Sequence, residues 1–524
     1  MKNSHLNYFF RLVTFACIAI RFGRSIVASN QPNVFLIVAD HWAAEHLGFA
    51  DNPAAITPGL NELSACGIRF ANAYSECPVC IPARRTLMTG MNPKSHGDRV
   101  FNDRLRIPDV TTMAQAFRDA GYQADAVGKL HVHPQRDRIG FDSVILDDEG
   151  RPQWGMLDDY DIYLGDQGLP GRQFDHGMSN NQYNWRPWHL DEAHHPTSWA
   201  GRMMARTIKR RDPNKPAFWY LGFRHPHPPL VPPQAFLDLY RDVEIDAPYV
   251  GDWVKDPENL PFAISALLSR TNLYTDAQMM AAKRAFYALC TQIDYQIRYL
   301  VGTLRLEGIL DDTIIMFTSD HGDMLGNHNM AAKRIFYESS TNIPMILTAN
   351  KRNAKAGEGV VDNRLATFAD VMPTLLDLCD IDVPSTVDGI SMVGSARHAY
   401  IYGECGEDDH SSRMIRDDRF KLIYYPVGNH SQLFDMVNDP REMTDLACDP
   451  THADTLRRLQ GRLVSEMYGS DLDWITDGKL TGKPNRPYTW APHRSLNSQR
   501  GDGWPPSPKV DIPQIEWTKE RQAD

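Results

Sequence analysis

Hydrophobic positions along this chain gather into short uninterrupted runs, separated by stretches with helical spacing. The first run, residues 33–40 (NVFLIVAD), ends in an acid, Asp40. It lacks the alternation of a half-solvated strand, so it reads as a strand buried on both faces of a parallel sheet. Residues 58–66 (PGLNELSAC) read as a helix, 67–74 (GIRFANAY) as a second strand, 112–120 (TMAQAFRDA) as a helix and 122–128 (YQADAVG) as a strand. The runs 217–223 (AFWYLGF) and 313–319 (TIIMFTS) repeat the strand pattern, and 277–304 between them has helical spacing. Strand alternating with helix predicts an α/β fold: a large mixed, mostly parallel sheet sandwiched by helices. Ligands of such sheets bind beyond the carboxyl ends of the strands. Asp40, Lys129 and Asp320 all lie just past such ends, so one site can draw on all of them.

Two regions break the pattern. Residues 148–198 are rich in Trp, Tyr, His and Gly without a period, and read as an insertion over the site. Its Trp154, Tyr160, Trp185, Trp188 and Trp199 either build a stacking surface for a sugar ring or pack the insertion onto the core. From about Ala399, the runs HAYIYGE, RFKLIYY and SQLFDM predict a smaller C-terminal antiparallel sheet, followed by a helix over 454–467. The expected division is a leader over 1–29, a catalytic domain over 30–395, an α+β subdomain over 396–490 and an irregular tail over 491–524. In the leader, Lys2 and Arg11 precede the uncharged run 12–20 (LVTFACIAI), and Val27-Ala28-Ser29 offers a small-residue cleavage site. This predicts a periplasmic or secreted protein, although Arg21 and Arg24 are unusual where they stand; the alternative is a disordered leader. The run is too short to span a bilayer, so no membrane span is expected.

A formal net charge of −11 argues against a nucleic-acid partner, which requires a basic face. Any anion site must therefore be a local cluster of cations. Eight dispersed cysteines do not form a disulfide scaffold in a chain of this size. Cys77 and Cys80 make a C-x-x-C, but no second pair exists to complete a zinc site. Carboxylates at neighbouring strand ends, Asp40 and Asp320, can gather around a divalent cation, with oxygen ligands favouring Ca²⁺ or Mg²⁺. Taken singly, Asp40 could equally cap a helix and His321 could be a satisfied core histidine.

The stretch CPVCIPARRTLMTG around Cys80, with its Cys-x-Pro-x-Arg spacing, resembles the signature of the type I sulfatases of the alkaline phosphatase superfamily. Gly128-Lys129-Leu130-His131, His225-Pro226-His227-Pro228-Pro229, SDHGDMLG around Asp320 and the closing SQLFDMVNDPREMTDLA resemble further elements of that family, in family order. The resemblance implies an alkaline-phosphatase-like fold and hydrolysis of sulfate monoesters, with a sulfated saccharide as the expected substrate. It implies that a formylglycine-generating or anaerobic maturation enzyme converts Cys80 to formylglycine, whose hydrate is the nucleophile. It also implies metal ligation by Asp40, Asp320, His321 and the modified Cys80, with Ca²⁺ expected. Lys129, His227 and Lys333 would bind the sulfate, with Asn102 a further donor, and Arg84 would hold the formylglycine hydroxyl. His227 or Lys333 would protonate the leaving alcohol, and His131 would be the base that expels sulfate.

His41 departs from the pattern, since many sulfatases have a second Asp there and related enzymes a Gln. It is a ligand, or orients one, or shifts the metal towards Mn²⁺ or Zn²⁺. It also keeps a rival open, a phosphonate monoester or phosphodiester hydrolase of the same superfamily. A third reading is a catalytically silent protein that binds sulfated glycans, should Cys80 stay unmodified.

Overall fold

The computed structural model describes residues 31–50, 52–150, 156–178, 181–271, 274–349 and 357–488. The leader expected over 1–29, the tail expected over 491–524 and Trp154 lie outside these residues. Eight strands form one sheet: β1 (Asn33–Ala39), β2 (Ile68–Tyr74), β3 (Gln123–Gly128), β4 (Ser143–Leu146), β5 (Ala217–Gly222), β6 (Thr313–Ser319), β7 (Met345–Thr348) and β8 (Val360–Thr367). Their order is β4-β3-β5-β1-β6-β7-β2-β8. Only β7 runs antiparallel to its neighbours, β6 and β2. The sheet is therefore mixed and mostly parallel, as the apolar runs predict.

Alternate residues of β1 enter two separate cores, which is why its sequence is apolar at every position. Phe35, Ile37 and Ala39 pack with the helices Pro196–Lys209 and Asp276–Leu306. Val34, Leu36 and Val38 pack with Met113–Asp119 and Val371–Leu378 on the other face. Each such side chain contributes about 1.5–3 kcal/mol on burial. That fixes β1 as a rigid central strand whose carboxyl end can hold Asp40 in place.

Four further strands, β9 (Ile401–Cys405), β10 (Ser412–Arg416), β11 (Phe420–Tyr425) and β12 (His430–Asp435), form an antiparallel sheet in the order β12-β11-β10-β9. One face carries Ile415, Leu422 and Leu433 against Leu459 and Leu463 of the helix Ala453–Glu466. The other carries Met414, Ile423 and Phe434 against Cys77, Val79, Met324 and Phe336.

The insertion is more regular than its sequence suggests. It contains the helix Asp159–Asp166, capped by the Asp158 carboxylate on Asp161 N–H, and the start of Pro196–Lys209. Its rings mostly follow the packing alternative. Tyr160 and Trp199 are fully buried and Trp188 nearly so, whereas Trp185 is exposed.

Candidate active site

Four neighbouring strands bring the site together at their carboxyl ends. β6 delivers Asp320 and His321, β1 delivers Asp40 and His41, β5 is followed by His225 and His227, and β3 by Lys129. The backbone ladder runs one step past the strands: Asp320 N–H donates to Ala39 O, Asp40 N–H to His225 O and Lys129 N–H to Gly222 O. Gly128 allows that approach. It has φ +92°, and a Cβ there would lie 2.0 Å from the Gly222 oxygen.

Cys80 opens the fully buried helix Cys80–Thr89, at the end whose partial positive charge favours an anion. Its Sγ lies 3.7 Å from Asp40 Oδ1 and 3.2 Å from His321 Nε2. Burial alone would push the thiol up, but Lys333, Lys129, His321 and His131 hold it well below its ordinary value. Arg84 follows one turn later on the same face, as the spacing predicts. Its guanidinium donates to Asp320 Oδ2 at 3.0 Å, Asp40 Oδ2 at 3.3 Å, the Lys129 carbonyl at 3.0 Å and Tyr220 Oη at 2.8 Å. Its hydrogen bonds thus go to the two carboxylates rather than to Cys80 itself. Burial raises the Asp40 carboxyl, but Lys129, His227 and Arg84 more than compensate and hold it below the usual range. Asp320 moves the other way, raised by burial and by the charge of Asp40.

Three histidines point the same nitrogen inwards. Nδ1 of His41 lies 2.6 Å from Asp323 Oδ2, that of His227 2.5 Å from Pro228 O and that of His321 2.9 Å from Gly322 O. Carboxylate and carbonyl oxygens only accept, so each Nδ1 carries a proton and each ring turns its Nε2 edge to the site. The His41 and His227 rings meet edge-on at 4.2 Å, and those of His41 and His321 at 4.6 Å. Burial keeps His227 neutral, well below the ordinary imidazole value. Asp323 also accepts from Tyr183 Oη. His131 is held differently. Its backbone N–H donates to Asp148, its ring meets Phe101 edge-on, and neither ring nitrogen has a hydrogen-bond partner of good geometry among the described residues.

The donors suit a divalent cation. Asp40, Cys80, Asp320 and His321 offer ligand atoms within 4.8 Å of one another, and so do Asp40, His41, Cys80 and His227, all buried. Converging lone pairs beside two carboxylates, with the Nδ1 side of each ring tied down, are what metal-binding imidazoles require. Lys333 Nζ donates to His41 Nε2, and Lys129 Nζ pairs with Asp40 and Glu149. Asn102, expected as a sulfate donor, is exposed, and its Oδ1 accepts from Arg104 N–H.

The sulfatase family model matches residues 32–381. The chain belongs to the sulfatase family. A model for the C-terminal part of N-sulphoglucosamine sulphohydrolase matches residues 326–468 of this sulfatase. An arylsulfatase of Clostridium perfringens is 33% identical over 470 residues, covering 86% of this chain and 97% of the relative. A choline-sulfatase of Rhizobium meliloti is 29% identical over 457 residues, covering 81% of this chain and 84% of the relative. Among solved structures, a phosphonate monoester hydrolase of Agrobacterium radiobacter superposes with a TM-score of 0.73 at 22% identity, covering 87% of this chain and 100% of that one. The sulfatase is thus a sulfuric ester hydrolase with the alkaline-phosphatase-like fold that the motifs imply.

Several groups at the site escape a sequence reading. Asp323 follows His321 by two residues in SDHGD, and Glu149 ends the acidic triplet Asp147-Asp148-Glu149; both carry a visible signal of charge. Tyr183 and Tyr220 carry none, because their hydroxyls gain meaning only from partners distant in the chain.

Proposed function

We propose that this sulfatase hydrolyses sulfate monoesters of a hydroxylated ring, a sulfated saccharide, through a formylglycine made from Cys80 and a divalent cation. The observation that carries the proposal is the convergence of Cys80 with Arg84, Lys129 and Lys333, buried cations in an otherwise acidic protein. Asp40, Asp320, His321 and His41 would hold the cation, which supplies Lewis acidity at the nucleophile. Formylglycine supplies a hydrate whose second hydroxyl gives a release route that a serine lacks. Two imidazoles beside two carboxylates favour Zn²⁺ over the Ca²⁺ that the family resemblance implies.

The chain's own groups then divide the work. Lys129 and Lys333 place positive charge and donors on the sulfate oxygens, where charge builds as the ester bond breaks. Arg84 locks Asp40 and Asp320 in one geometry. Neutral His227, its Nδ1 proton held by Pro228 O, offers a lone pair rather than a proton. Lys333 is therefore the better donor to the leaving alcohol. His131, whose side chain faces Cys80, is the base for sulfate release. Because Cys80 is 2% exposed, the maturation enzyme must reach it before the chain folds.

A small, partly open pocket lies beside His227. Glu149, Arg224 and His176 line it together with Phe174, Pro229 and Val231. This mixed lining offers polar partners to a sugar's hydroxyls and apolar ones to its C–H face. The match to the N-sulphoglucosamine sulphohydrolase model supports a saccharide too. The second reading, a phosphonate monoester or phosphodiester hydrolase, is favoured by His41 standing where a second acid is usual. Peptide mass spectrometry across Cys80, run with sulfate-ester and phosphodiester turnover on the matured enzyme, tests both. Formylglycine with faster sulfate release is expected. Faster diester or phosphonate cleavage selects the rival, and full turnover with an intact cysteine rules out the formylglycine mechanism.

A further inference from the structure

We infer that Glu149 sets the charge this site accepts: it favours a singly charged ester and disfavours a doubly charged anion, including the sulfate product. The inference rests on the sulfate-ester reading above and names a residue that selects by charge within that site. Glu149 belongs to the insertion, is 4% exposed and has a left-handed backbone, φ +63°. Its carboxylate pairs with Lys129 Nζ, and Oε1 lies 4.0 Å from His227 Nδ1. It therefore stands where the nucleophile cluster meets the pocket beside His227.

Lys129 is a cation that an incoming sulfate group needs, yet two carboxylates, Asp40 and Glu149, already share it. Asp40 is tied to the nucleophile end through Cys80 and Arg84. Glu149 instead reaches Lys129 from the pocket side, where its Oε1 also lies 4.0 Å from His227 Nδ1. A carboxylate held this close to the anion-binding lysine subtracts one charge from the attraction an anion meets. A sulfate monoester carries a single negative charge and the sulfate it releases carries two. The repulsion from Glu149 therefore falls about twice as heavily on the product, which helps it leave.

The test is a binding and kinetic comparison of the matured full chain with its Glu149→Gln variant. Inorganic sulfate affinity is measured by calorimetric titration, and KM is measured for a sulfate monoester. Glu149→Gln should bind inorganic sulfate about tenfold or more tightly, and KM for the ester should fall by a smaller factor. Product inhibition should tighten in step, while Glu149→Asp, which keeps the charge, should stay near the parent. Sulfate affinity that is unchanged or weaker in Glu149→Gln would overturn the inference, as would equal shifts for ester and dianion. A merely structural Glu149 gives that last result, because a displaced Lys129 weakens both ligands together. The titration reads Glu149 even if no sulfate ester turns over, so failure of the sulfate-ester reading stays separate from failure of this one.

Discussion

At the scale of single residues, the site depends on groups that hold other groups. Asp323 fixes His41 with Nδ1 protonated and Nε2 facing Asp40, so Asp323→Asn should free the ring to turn. Losing such a supporting carboxylate costs about 10–100-fold in metal affinity. Metal titration of the variant checks this, and an unchanged affinity would leave His41 outside the ligand set. Asp323 also carries a stability signature. Burial would raise it, but hydrogen bonds from His41 and Tyr183 bring it down to about 2. A carboxyl lowered on folding stabilises above its ordinary value, and the gain is lost as pH falls from about 4 to about 2. The contribution is about 2 kcal/mol, so Asp323→Asn should flatten the acid limb of the melting curve. Arg84→Lys should cut kcat/KM by about 10²–10³-fold, because one ammonium cannot span Asp40 and Asp320 as the planar guanidinium does. Steady-state kinetics decide this; a variant within threefold of the parent would show that the two carboxylates are held by other means. Charged or nucleophilic residues in compact strings, Asp40, Cys80, Lys129 and Asp320, are legible as candidates in the sequence. Tyr183 is not, because its partner Asp323 lies 140 residues away.

At the scale of elements, apolar runs gave β6 to the residue and β1 to within one, because strands buried on both faces need no alternation to be seen. The strand β10 (SRMIR) was missed: two arginines and a serine hide it. Arg413 and Arg416 are nonetheless buried, Arg413 on Asp471 and Arg416 on Tyr74, and these partners are invisible along the chain. The helix Asp159–Asp166 was hidden for a similar reason. Its signal is the Asp158 cap within an acidic stretch, not an apolar stripe. The turn from β3 into Lys129 permits a sharper prediction. Gly128→Ala would place a Cβ 2.0 Å from the Gly222 oxygen and strain a left-handed backbone, so it should cost about 2–4 kcal/mol and raise KM as Lys129 shifts. Gly97 is also left-handed, at φ +74°, but nothing lies within 4 Å of its added Cβ. Gly97→Ala should therefore cost only about 1 kcal/mol and leave KM unchanged. Denaturant unfolding of both variants separates steric contact from backbone strain; equal costs would mean that the close approach at Gly222 is not limiting.

At the scale of the whole molecule, the small C-terminal sheet supports the active site from below. Phe434 and Leu433 are consecutive, fully buried residues of β12 whose side chains enter different cores. Phe434 packs with Cys77, Val79, Met324 and Phe336, which flank the Cys80 helix and the Asp320–Lys333 segment. Leu433 packs with Leu459 and Leu463 of the terminal helix, away from the site. Large-to-small changes in such cores cost about 2–5 kcal/mol for Leu and 3–5 kcal/mol for Phe, so the two variants should lose comparable stability. They should differ in turnover. Phe434→Ala removes support beneath both loops that position the nucleophile and Lys333, and small misplacements of reacting groups cost about 10²-fold. Leu433→Ala loosens the sheet from its helix and should leave kcat per folded molecule within about twofold of the parent. Thermal melts and kcat at a temperature where both variants are folded measure the two quantities together. If kcat falls equally in both, stability alone governs turnover; if it falls only in Phe434→Ala, the second sheet belongs to the catalytic architecture.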